Sequence, residues 1–511
     1  MKNKIFQTIK VAKPKTNVFD LSHEKKLSLN MGYLCPIYID EVVPGDKFRV
    51  KTEMLVRLAP MVAPVMHRID AYIHYFFVPN RLVWDDWQNF ITGGEDGLDE
   101  SVFPMMPIGD GQKALISKGT LWDYMGLPVS DGTTTITQSL NVSMLPFRAY
   151  HTIFNEYYRD QNLRAKVEFS TGAYDSGDVT TLLGIKRRCW ERDYFTSCLP
   201  WAEKGGEVEI PIEGSIEFVP SYKTTALGLG TAANGDTKLV SGQFRDASSN
   251  ALGLDNLESD TYDIDGVSVT VNELRRSLRL QRWLERNARA GSRYIEQILA
   301  HFGVRSSDAR LQRPEYLGGG KTPIVISEVL ATNQSADVDL GTMGGHGVGV
   351  GTTNSFTKYF EEHGIIMGIL SIIPKGAYQD NVPKMFSKDD KFDYYWPEFA
   401  NLGEQEVLRR ELIHYWYSDW DSDQLFGYQS RYAEYKFKPS TVHGDFKDDM
   451  DYWHMARQFS SKPVLNDAFT RCDPTHRIFA VTDPAVHKIY VQLYNDVKAI
   501  RPMPIFGTPT I

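Results

Sequence analysis

The sequence predicts a mainly β protein, built as a β-sandwich with long and uneven connections. Two strand signals carry this prediction. Residues 46–60 alternate apolar and polar side chains, and residues 69–80 form a β-branched and aromatic run closed by Pro79-Asn80. Other strand-like segments are scattered over the whole chain at irregular spacing, which favours a sandwich over an alternating βαβ sheet.

Composition sets the next limits. The chain has 511 residues, 42% of them hydrophobic, and a formal net charge of −9. This balance excludes a uniformly basic nucleic-acid coat but allows local basic patches. The four cysteines are too few and too scattered for a disulfide framework or a zinc ribbon, so buried free thiols in a reducing compartment are expected. No apolar run has the length of a signal peptide or a membrane span, so no membrane insertion is expected.

The N-terminal residues 1–26 are strongly basic. They carry seven lysines against Asp20 and Glu24, and few of them look like core residues. We therefore predict an extended basic arm that neutralises nucleic acid, with a disordered solubilising tail as the alternative. The candidate contacts to nucleic acid in this arm are Lys2, Lys4, Lys10, Lys13 and Lys15.

Further elements follow along the chain. A helix is predicted over 147–163, where Tyr150, Phe154 and Tyr157 repeat at helical spacing. Strands are predicted over 207–212, 215–219, 364–374, 430–439, 476–481 and 486–497.

Two stretches read as loops. Residues 221–267 are rich in small and polar residues and poor in large apolar ones, as expected for a functional loop or a tolerated insertion. The run "GTMGGHGVGVGT" (341–352) does not match the dinucleotide-binding pattern G-x-G-x-x-G, and a flexible loop is predicted there.

The clearest helix is predicted over 272–302, with Asn272 as N-cap and Gly303 as the stop. On a helical wheel one face is apolar and the opposite face is arginine. The arginine face, with Arg275, Arg279, Arg282, Arg286 and Arg293, is a candidate contact to phosphates because guanidinium groups bind them in a bidentate manner. A contact to carboxylates of another domain or subunit, or a solvated face, stays open.

The segment "LQRPEYLGGGKTPIVIS" (311–327) contains an apparent phosphate-binding loop. A P-loop needs a glycine where this chain has Glu315, and it opens a helix, whereas Pro323 here leads into a β-branched run. We instead predict a turn leading into a strand, in which Gly318–Gly320 allow a tight, close-packed loop.

Motifs for catalysis are missing from the sequence. It contains no zinc-protease or deaminase signature, no C-x-x-C and no nucleophile elbow, and its acidic pairs are sequence neighbours of the kind that are normally solvated. We therefore predict no catalytic residue, no metal site and no cofactor, which favours a structural protein over an enzyme.

Four sequence segments, in the same order along the chain, resemble the major capsid protein family of microviruses, especially that of the gokushoviruses. Microviruses are small icosahedral phages with circular single-stranded DNA. The four segments are "VFDLSHEKKLSLNMGYLCPIYIDEVVPGDKFRV" (18–50), "HFGVRSSDARLQRPEYLGGGKTPI" (301–324), "FGYQSRYAEYKFKPSTVHGDF" (426–446) and "IRPMPIFGTP" (500–509). The similarity fades at 221–267 and 341–352.

The resemblance implies a viral jelly roll, an eight-stranded antiparallel sandwich with long loop insertions and a few helices, as a single domain over 27–511. It also implies that the chain associates with itself into a 60-copy T=1 shell around the DNA. Such a protein would be made in the host bacterial cytoplasm and located in the virion. A small basic DNA-binding virion protein and a host surface receptor are further implied partners.

An insertion at 221–270 would form a surface spike that contacts the host. Its candidate residues are Leu229, Asn234, Asp236, Phe244 and Asn250. The alternative to a capsid protein is a secreted-like or cytosolic β-sandwich protein that binds or processes glycans.

Overall fold

The structure is a computed structural model, and it describes residues 15–94, 98–205, 238–240, 243–245, 271–289, 300, 312–332, 341–414, 416 and 423–506. The chain divides into two compact units, one formed by Met1–Ala202 with Asn287–Ile511 and the other by Glu203–Arg286. The first unit contains the main sheet. Within the second, β-structure is described at 238–240 and 243–245.

The described strands are β1 (Asn17–Asp20), β2 (His23–Leu29), β3 (Cys35–Val42), β4 (Lys47–Leu58), β5 (Ile69–Pro79), β6 (Met105–Ile108), β7 (Leu140–Ser143), β8 (Lys238–Val240), β9 (Gln243–Arg245), β10 (Glu315–Leu330), β11 (Met343–Tyr359), β12 (Gly364–Pro374), β13 (Ala377–Tyr378), β14 (Glu404–Leu408), β15 (Leu425–Ser430), β16 (Ser440–Thr441) and β17 (Ile489–Arg501). The described α-helices are α1 (Trp87–Thr92), α2 (Leu121–Tyr124), α3 (Leu145–Ile153), α4 (Val179–Leu183), α5 (Val271–Arg289), α6 (Arg409–Leu412) and α7 (Asp467–Thr470).

Eight of these strands form a jelly roll, which confirms the predicted fold class. The first sheet has the order β2–β17–β4–β11 and the second the order β3–β12–β5–β10. Strand β10 joins them, because its first half pairs with β5 and its second half with β11, so the whole sheet curls around one core. All ladders between these strands are antiparallel, and β1 adds a short ninth strand beside β17.

Alternation in the sequence accounts for the first sheet. In β4 every second residue from Phe48 to Leu58 is buried, and the residues between them are more exposed. Strand β17 alternates in the same way. Since neighbouring residues of a strand face opposite sides, one side of this sheet lies on the core and the other side is accessible.

The two middle strands of the second sheet, β5 and β12, are covered on both faces. Strand β12 is buried at all eleven positions. Its Ile366, Leu370 and Ile372 join the core between the sheets, whereas Ile365, Met367 and Ile369 pack in a second cluster with residues of the long connection between β5 and β10. An uninterrupted apolar strand is the sequence pattern expected for this double burial.

Several predicted elements are confirmed and two are wrong. The strands predicted at 46–60, 69–80, 364–374 and 486–497 correspond to β4, β5, β12 and β17, and the helix at 147–163 corresponds to α3 with a π-helical turn at Phe154–Tyr158. Residues 430–439 are not a strand, because Tyr432 adopts a left-handed conformation with φ of 60° and a 3₁₀ turn follows at Ala433–Tyr435. Residues 476–481, all described, hold a single bridge from Phe479 to Met61 instead of a strand.

The prediction of a flexible loop at 341–352 is also wrong. These glycines lie in β11, which pairs with both β4 and β10. A Cβ atom at Gly345 would lie 2.2 Å from the carbonyl oxygen of Ala63, and one at Gly347 would lie 2.5 Å from the Cδ1 atom of Leu58. The glycines therefore serve close packing of this strand rather than mobility.

The Gly-Gly-Gly-Lys-Thr run belongs to β10 and not to a turn before it. Gly319 pairs with His74, and a Cβ atom there would lie 2.3 Å from the carbonyl oxygen of Ile73. The Nζ atom of Lys321 lies 3.0 Å from the carboxylate of Asp70, whose side chain is 2% exposed. The close packing is as predicted, but the lysine serves an internal ion pair.

Candidate assembly and nucleic-acid surfaces

The long connection between β12 and β17 builds a small core of its own. Strands β14 and β15 pair within it, and Leu199 bridges to Tyr428 of β15. The buried Gln429 donates hydrogen bonds to the carbonyl oxygen of Tyr194 at 2.9 Å and to Ser197 Oγ at 2.8 Å. The apolar side of this core holds Tyr194, Phe195, Tyr378, Val407, Leu412, Phe426 and Phe469.

The opposite side of this connection exposes large apolar side chains. Short 3₁₀ turns at Lys384–Phe386 and Pro397–Phe399, each next to a proline, keep the chain out of regular sheet here. We call the result the aromatic surface; its side chains are between 47% and 74% exposed, and they are Met385, Phe386, Tyr394, Tyr395, Trp396, Leu402, Tyr435 and Phe437. An exposed cluster of this kind is typical of a protein–protein contact.

A cavity of about 420 Å³ opens at this surface. We call it the tyrosine groove; its apolar lining includes Tyr194, Pro383, Tyr394, Tyr435, Phe437 and Pro439. Its walls thus present flat rings and proline faces, which suit apolar or proline-rich peptide ligands.

Four charged groups of the tyrosine groove form two ion pairs, whereas Lys438 at its edge is exposed. Lys388 lies 3.0 Å from Glu434, and its ammonium group is 4.2 Å from the centre of the Tyr435 ring. Burial would lower the pKa of Lys388, but hydrogen bonds to Tyr435 and Glu434 outweigh it and raise that pKa. Lys384 pairs in the same way with the buried Glu411 at 3.3 Å. These pairs hold the walls in place and leave the contact energy to the apolar lining.

The predicted arginine helix is α5, described over Val271–Arg289, and Arg293 lies outside the described residues. Arg275, Arg279, Arg282 and Arg286 are all exposed. The expected apolar face is exposed at Leu278, at 60%, and buried at Ala288, at 3%. At the end of α5, Arg289 forms an ion pair with Glu404. The structure therefore brings the four arginines together, exposed, on one helix.

Most residues of the predicted arm and spike lie outside the described part of the chain. In the arm these are Lys2, Lys4, Lys10 and Lys13, whereas Lys15 is described and exposed. In the spike they are Leu229, Asn234, Asp236 and Asn250, whereas Phe244 lies in β9, which pairs with β8 as a short antiparallel hairpin. From residue 17 onward, the predicted arm forms β1 and β2 beside β17.

Sequence reasoning missed a second basic surface, the accessible side of the first sheet. We call it the basic face; its cations are Lys26, Lys47, Arg49, Lys51, Arg57 and Lys498. Three of them pair with carboxylates of the same sheet: Lys26 with Glu24, Lys51 with Glu53 and Lys498 with Asp20. Exposed Tyr490 and Tyr494 of β17 stand among them, and Tyr490 is opposite Arg57 in the ladder. Cations interleaved with aromatic rings can bind a single nucleic-acid strand. The period-two repeat of basic residues in β4 was the available signal.

Three further features bear on function in the described residues: groups that could bind a metal ion, helices that could span a membrane, and reactive thiols. They contain no group of three or more His, Cys, Asp or Glu side chains placed to hold a metal ion. No helix in the described ranges is long and apolar enough to cross a membrane. All four cysteines are free; Cys35, Cys198 and Cys472 are buried, and burial raises the pKa of each of these thiols.

Comparison with known proteins gives a consistent result over the full length. The family model described as capsid protein (F protein) matches residues 7–511. The chain is 34% identical to capsid protein VP1 of Chlamydia phage 1 over 598 aligned positions, which cover 100% of this chain and 98% of that relative. It is also 34% identical to capsid protein VP1 of Bdellovibrio phage phiMH2K, over 96% of this chain and 94% of the relative. Capsid protein VP1 of Spiroplasma virus 4 is 30% identical over the same shares.

Proposed function

This chain belongs to the capsid protein (F protein) family of microviruses, and from that premise we propose that it is the major subunit of a T=1 shell that encloses circular single-stranded DNA. It is a structural capsid protein and not an enzyme, and its place is the virion. The glycan-binding or glycan-processing alternative is not favoured, because the relatives are capsid proteins over nearly the whole chain.

The aromatic surface is the observation that carries the proposal of self-association through loop-built contacts. The jelly roll buries its own core completely, yet the connection after β12 keeps Phe386 at 74% exposure and Trp396 at 47%. Aromatic side chains supply most of the contact energy in many interfaces. A chain that folds around a full core and still exposes such a cluster is suited to packing against copies of itself.

Two basic surfaces support a proposed contact with the packaged DNA. The exposed arginines of α5 and the basic face both offer guanidinium groups, while the chain as a whole has a net charge of −9. Local cations on a net acidic subunit can neutralise phosphates without making the outer surface of the shell basic. The arm 1–26 is proposed to add to this contact, and a small basic virion protein is a proposed partner there.

The region 221–270 is proposed as the host-facing spike of the shell. It interrupts the long connection between β5 and β10, and its small and polar residues are typical of a surface loop that carries recognition. A surface receptor of the host is the proposed partner. Synthesis in the host bacterial cytoplasm completes the proposal.

Sedimentation of the purified full chain, with electron microscopy of the fractions, tests the proposed function. Sixty copies of a 58.1 kDa chain correspond to particles of about 3.5 MDa. We expect closed icosahedral particles of this size that protect DNA from nuclease. A chain that stays monomeric at high concentration in the presence of single-stranded DNA would contradict the proposal.

A further inference from the structure

We propose that the exposed segment Pro504–Phe506 of one copy docks in the tyrosine groove of a second copy. This inference rests on the proposed function, since it names one of the contacts by which the subunits associate. It concerns the residues after β17, the last strand of the jelly roll, and the groove built by the connection between β12 and β17.

The segment has the properties of a docking peptide. The chain leaves β17 at Arg501 and continues as Pro-Met-Pro-Ile-Phe. Ile505 is 62% exposed and Phe506 is 80% exposed. Upstream, the amide of Asn17 donates a 2.6 Å hydrogen bond to the carbonyl oxygen of Met503, which fixes the base of the segment. Two prolines in three residues favour the extended polyproline conformation and lower the entropy lost on binding.

The tyrosine groove matches this ligand in shape and chemistry. Proline-rich peptides bind grooves lined by aromatic rings, where the rings contact the flat proline faces. Here Tyr394, Tyr435 and Phe437 remain 53–57% exposed — the accessible aromatic wall of a cavity of about 420 Å³. Because Lys388 and Lys384 are paired with Glu434 and Glu411, an apolar peptide can enter without leaving these charges unpaired.

The position of the segment keeps it away from the groove of its own chain, so the groove that it enters belongs to another copy. Strand β17 has 13 residues, so its ends lie about 40 Å apart. The groove lies towards the end of the sandwich at which β17 begins, because Thr441 lines the groove and also lines a second cavity together with Arg68 and Lys375. The segment starts at the opposite end, where Arg501 lies 3.2 Å from Asp46. Five extended residues span at most about 18 Å.

Exposure within one chain agrees with this geometry. Phe506 at one end and Phe437 at the other are both accessible in the same molecule, so the segment does not fill its own groove. A contact from the segment of one copy to the groove of the next is heterologous. Such contacts close into rings or shells when the rotation between copies allows closure.

Disulfide trapping between two differently tagged variants tests the inference. One variant carries Phe506→Cys and the other Phe437→Cys, and they are mixed, assembled and oxidised. We expect a cross-linked species with both tags in the particle fraction. Each variant alone is the control for random linkage, and three of the four native thiols are buried. Particles without the mixed species, or an intrachain link in the double variant, would overturn the inference.

A second measurement does not depend on cysteine chemistry. The variant Ile505→Ser with Phe506→Ser should raise the subunit concentration at half-assembly by about tenfold or more, as loss of an apolar anchor does in other interfaces. Val102→Ser is the control, because Val102 is 76% exposed and lies outside both surfaces. If both variants reach half-assembly at the same subunit concentration, the inference is wrong. If the unmodified chain forms no particles at all, the proposed function itself fails.

Discussion

The hydroxyl group of Tyr75 donates a hydrogen bond to Thr52 Oγ1 across the core, from β5 of the second sheet to β4 of the first. Thr52 in turn donates to Asn495 Oδ1 at 2.7 Å. All three side chains are completely buried. This chain of hydrogen bonds fixes the two sheets relative to each other at one register, which apolar packing alone specifies less strictly.

Removal of this hydroxyl should destabilise the subunit. We expect Tyr75→Phe to lower the free energy of unfolding by about 1–2 kcal/mol, because a buried hydrogen bond between the sheets is lost. Chemical denaturation of the variant measures the effect. Tyr490→Phe is the matched control, since Tyr490 is 44% exposed on β17. Equal losses for both variants would show that the core bond contributes nothing specific.

The glycines of β11 should not tolerate side chains. At Gly345 an added methyl group meets the backbone of Ala63 at 2.2 Å, so strand or loop must move. Gly345→Ala is therefore expected to lower the free energy of unfolding by about 1–3 kcal/mol or more. Gly111→Ala is the control, because a Cβ atom at Gly111 would meet no atom within 4 Å. A stable Gly345→Ala protein with an unchanged midpoint would contradict the close packing inferred for this strand.

The ion pair in β10 gives a test of the role of Lys321. Lys321→Met should reduce stability by about 1–3 kcal/mol, because Arg68, at 3.0 Å, is then the one ion-pair partner left to the buried Asp70 among the described residues. Thermal unfolding measures the loss. Adding ATP or GTP should leave the Tm of the wild type and of the variant unchanged, since the Gly-Gly-Gly-Lys-Thr run is part of a strand and not a phosphate-binding loop. A nucleotide-dependent rise in Tm that requires Lys321 would reverse this interpretation.

Acid should weaken the subunit through its buried histidines. Burial lowers the pKa of His67 and of His74 from 6.5 to about 4, with Arg188 adding to the effect at His74. Because each folded-state pKa is below the unfolded value, the unfolded chain takes up protons first as the pH falls. Stability is then full above about pH 6.5 and declines between about 6.5 and 4.

Urea unfolding between pH 7 and pH 4.5 measures this slope. We expect His74→Gln to reduce the pH dependence of the unfolding free energy, because one of the groups that gain a proton on unfolding is removed. The control is His443→Gln, which replaces an exposed histidine, and its slope is measured beside that of His74→Gln. A wild-type protein of constant stability over this range would show that burial does not perturb these imidazoles.

Replacing arginines of α5 by neutral residues should reduce DNA packaging more than it reduces folding stability. The variant Arg275→Gln with Arg279→Gln should package less DNA, and the slope of log affinity against log salt should fall by about 0.7 for each lost phosphate contact. Lys118→Gln with Lys166→Gln removes equal charge from other exposed sites. Normal packaging would refute the DNA assignment. Failure to assemble would place α5 between subunits, the alternative the sequence left open.

Deleting the proposed spike tests whether shell assembly and attachment to the host depend on different parts of the chain. If residues 221–270 are replaced by a short Gly-Ser linker, shells should still form, because the jelly-roll core and the aromatic surface lie elsewhere in the sequence. Their adsorption to host cells should drop by at least about tenfold, the loss expected when about 1.4 kcal/mol or more of contact energy is removed. Normal infectivity of particles made from the deletion variant would contradict the assignment of 221–270 as the spike.

The sequence by itself determined those elements whose pattern reflects burial directly. The alternation of apolar and polar residues identified β4 and β17, because the side of a strand that faces the core must be apolar. An unbroken apolar run identified β12, which is buried on both sides. Four ordered blocks identified the family. In contrast, the glycines of β10 and β11 were misread as turn and loop, since local propensity cannot show that a neighbouring carbonyl group fills the space beside a strand.

Only the tertiary structure decided which residues come together from distant parts of the chain. The tyrosine groove joins Tyr194 to Tyr435, and the core bond joins Tyr75 to Thr52, and neither pairing has a signal in one sequence. The basic face depends on the ladder that places Tyr490 opposite Arg57. Periodicity reports the environment of each residue along its own strand, whereas partners across the core follow from the register and the curl of the sheet.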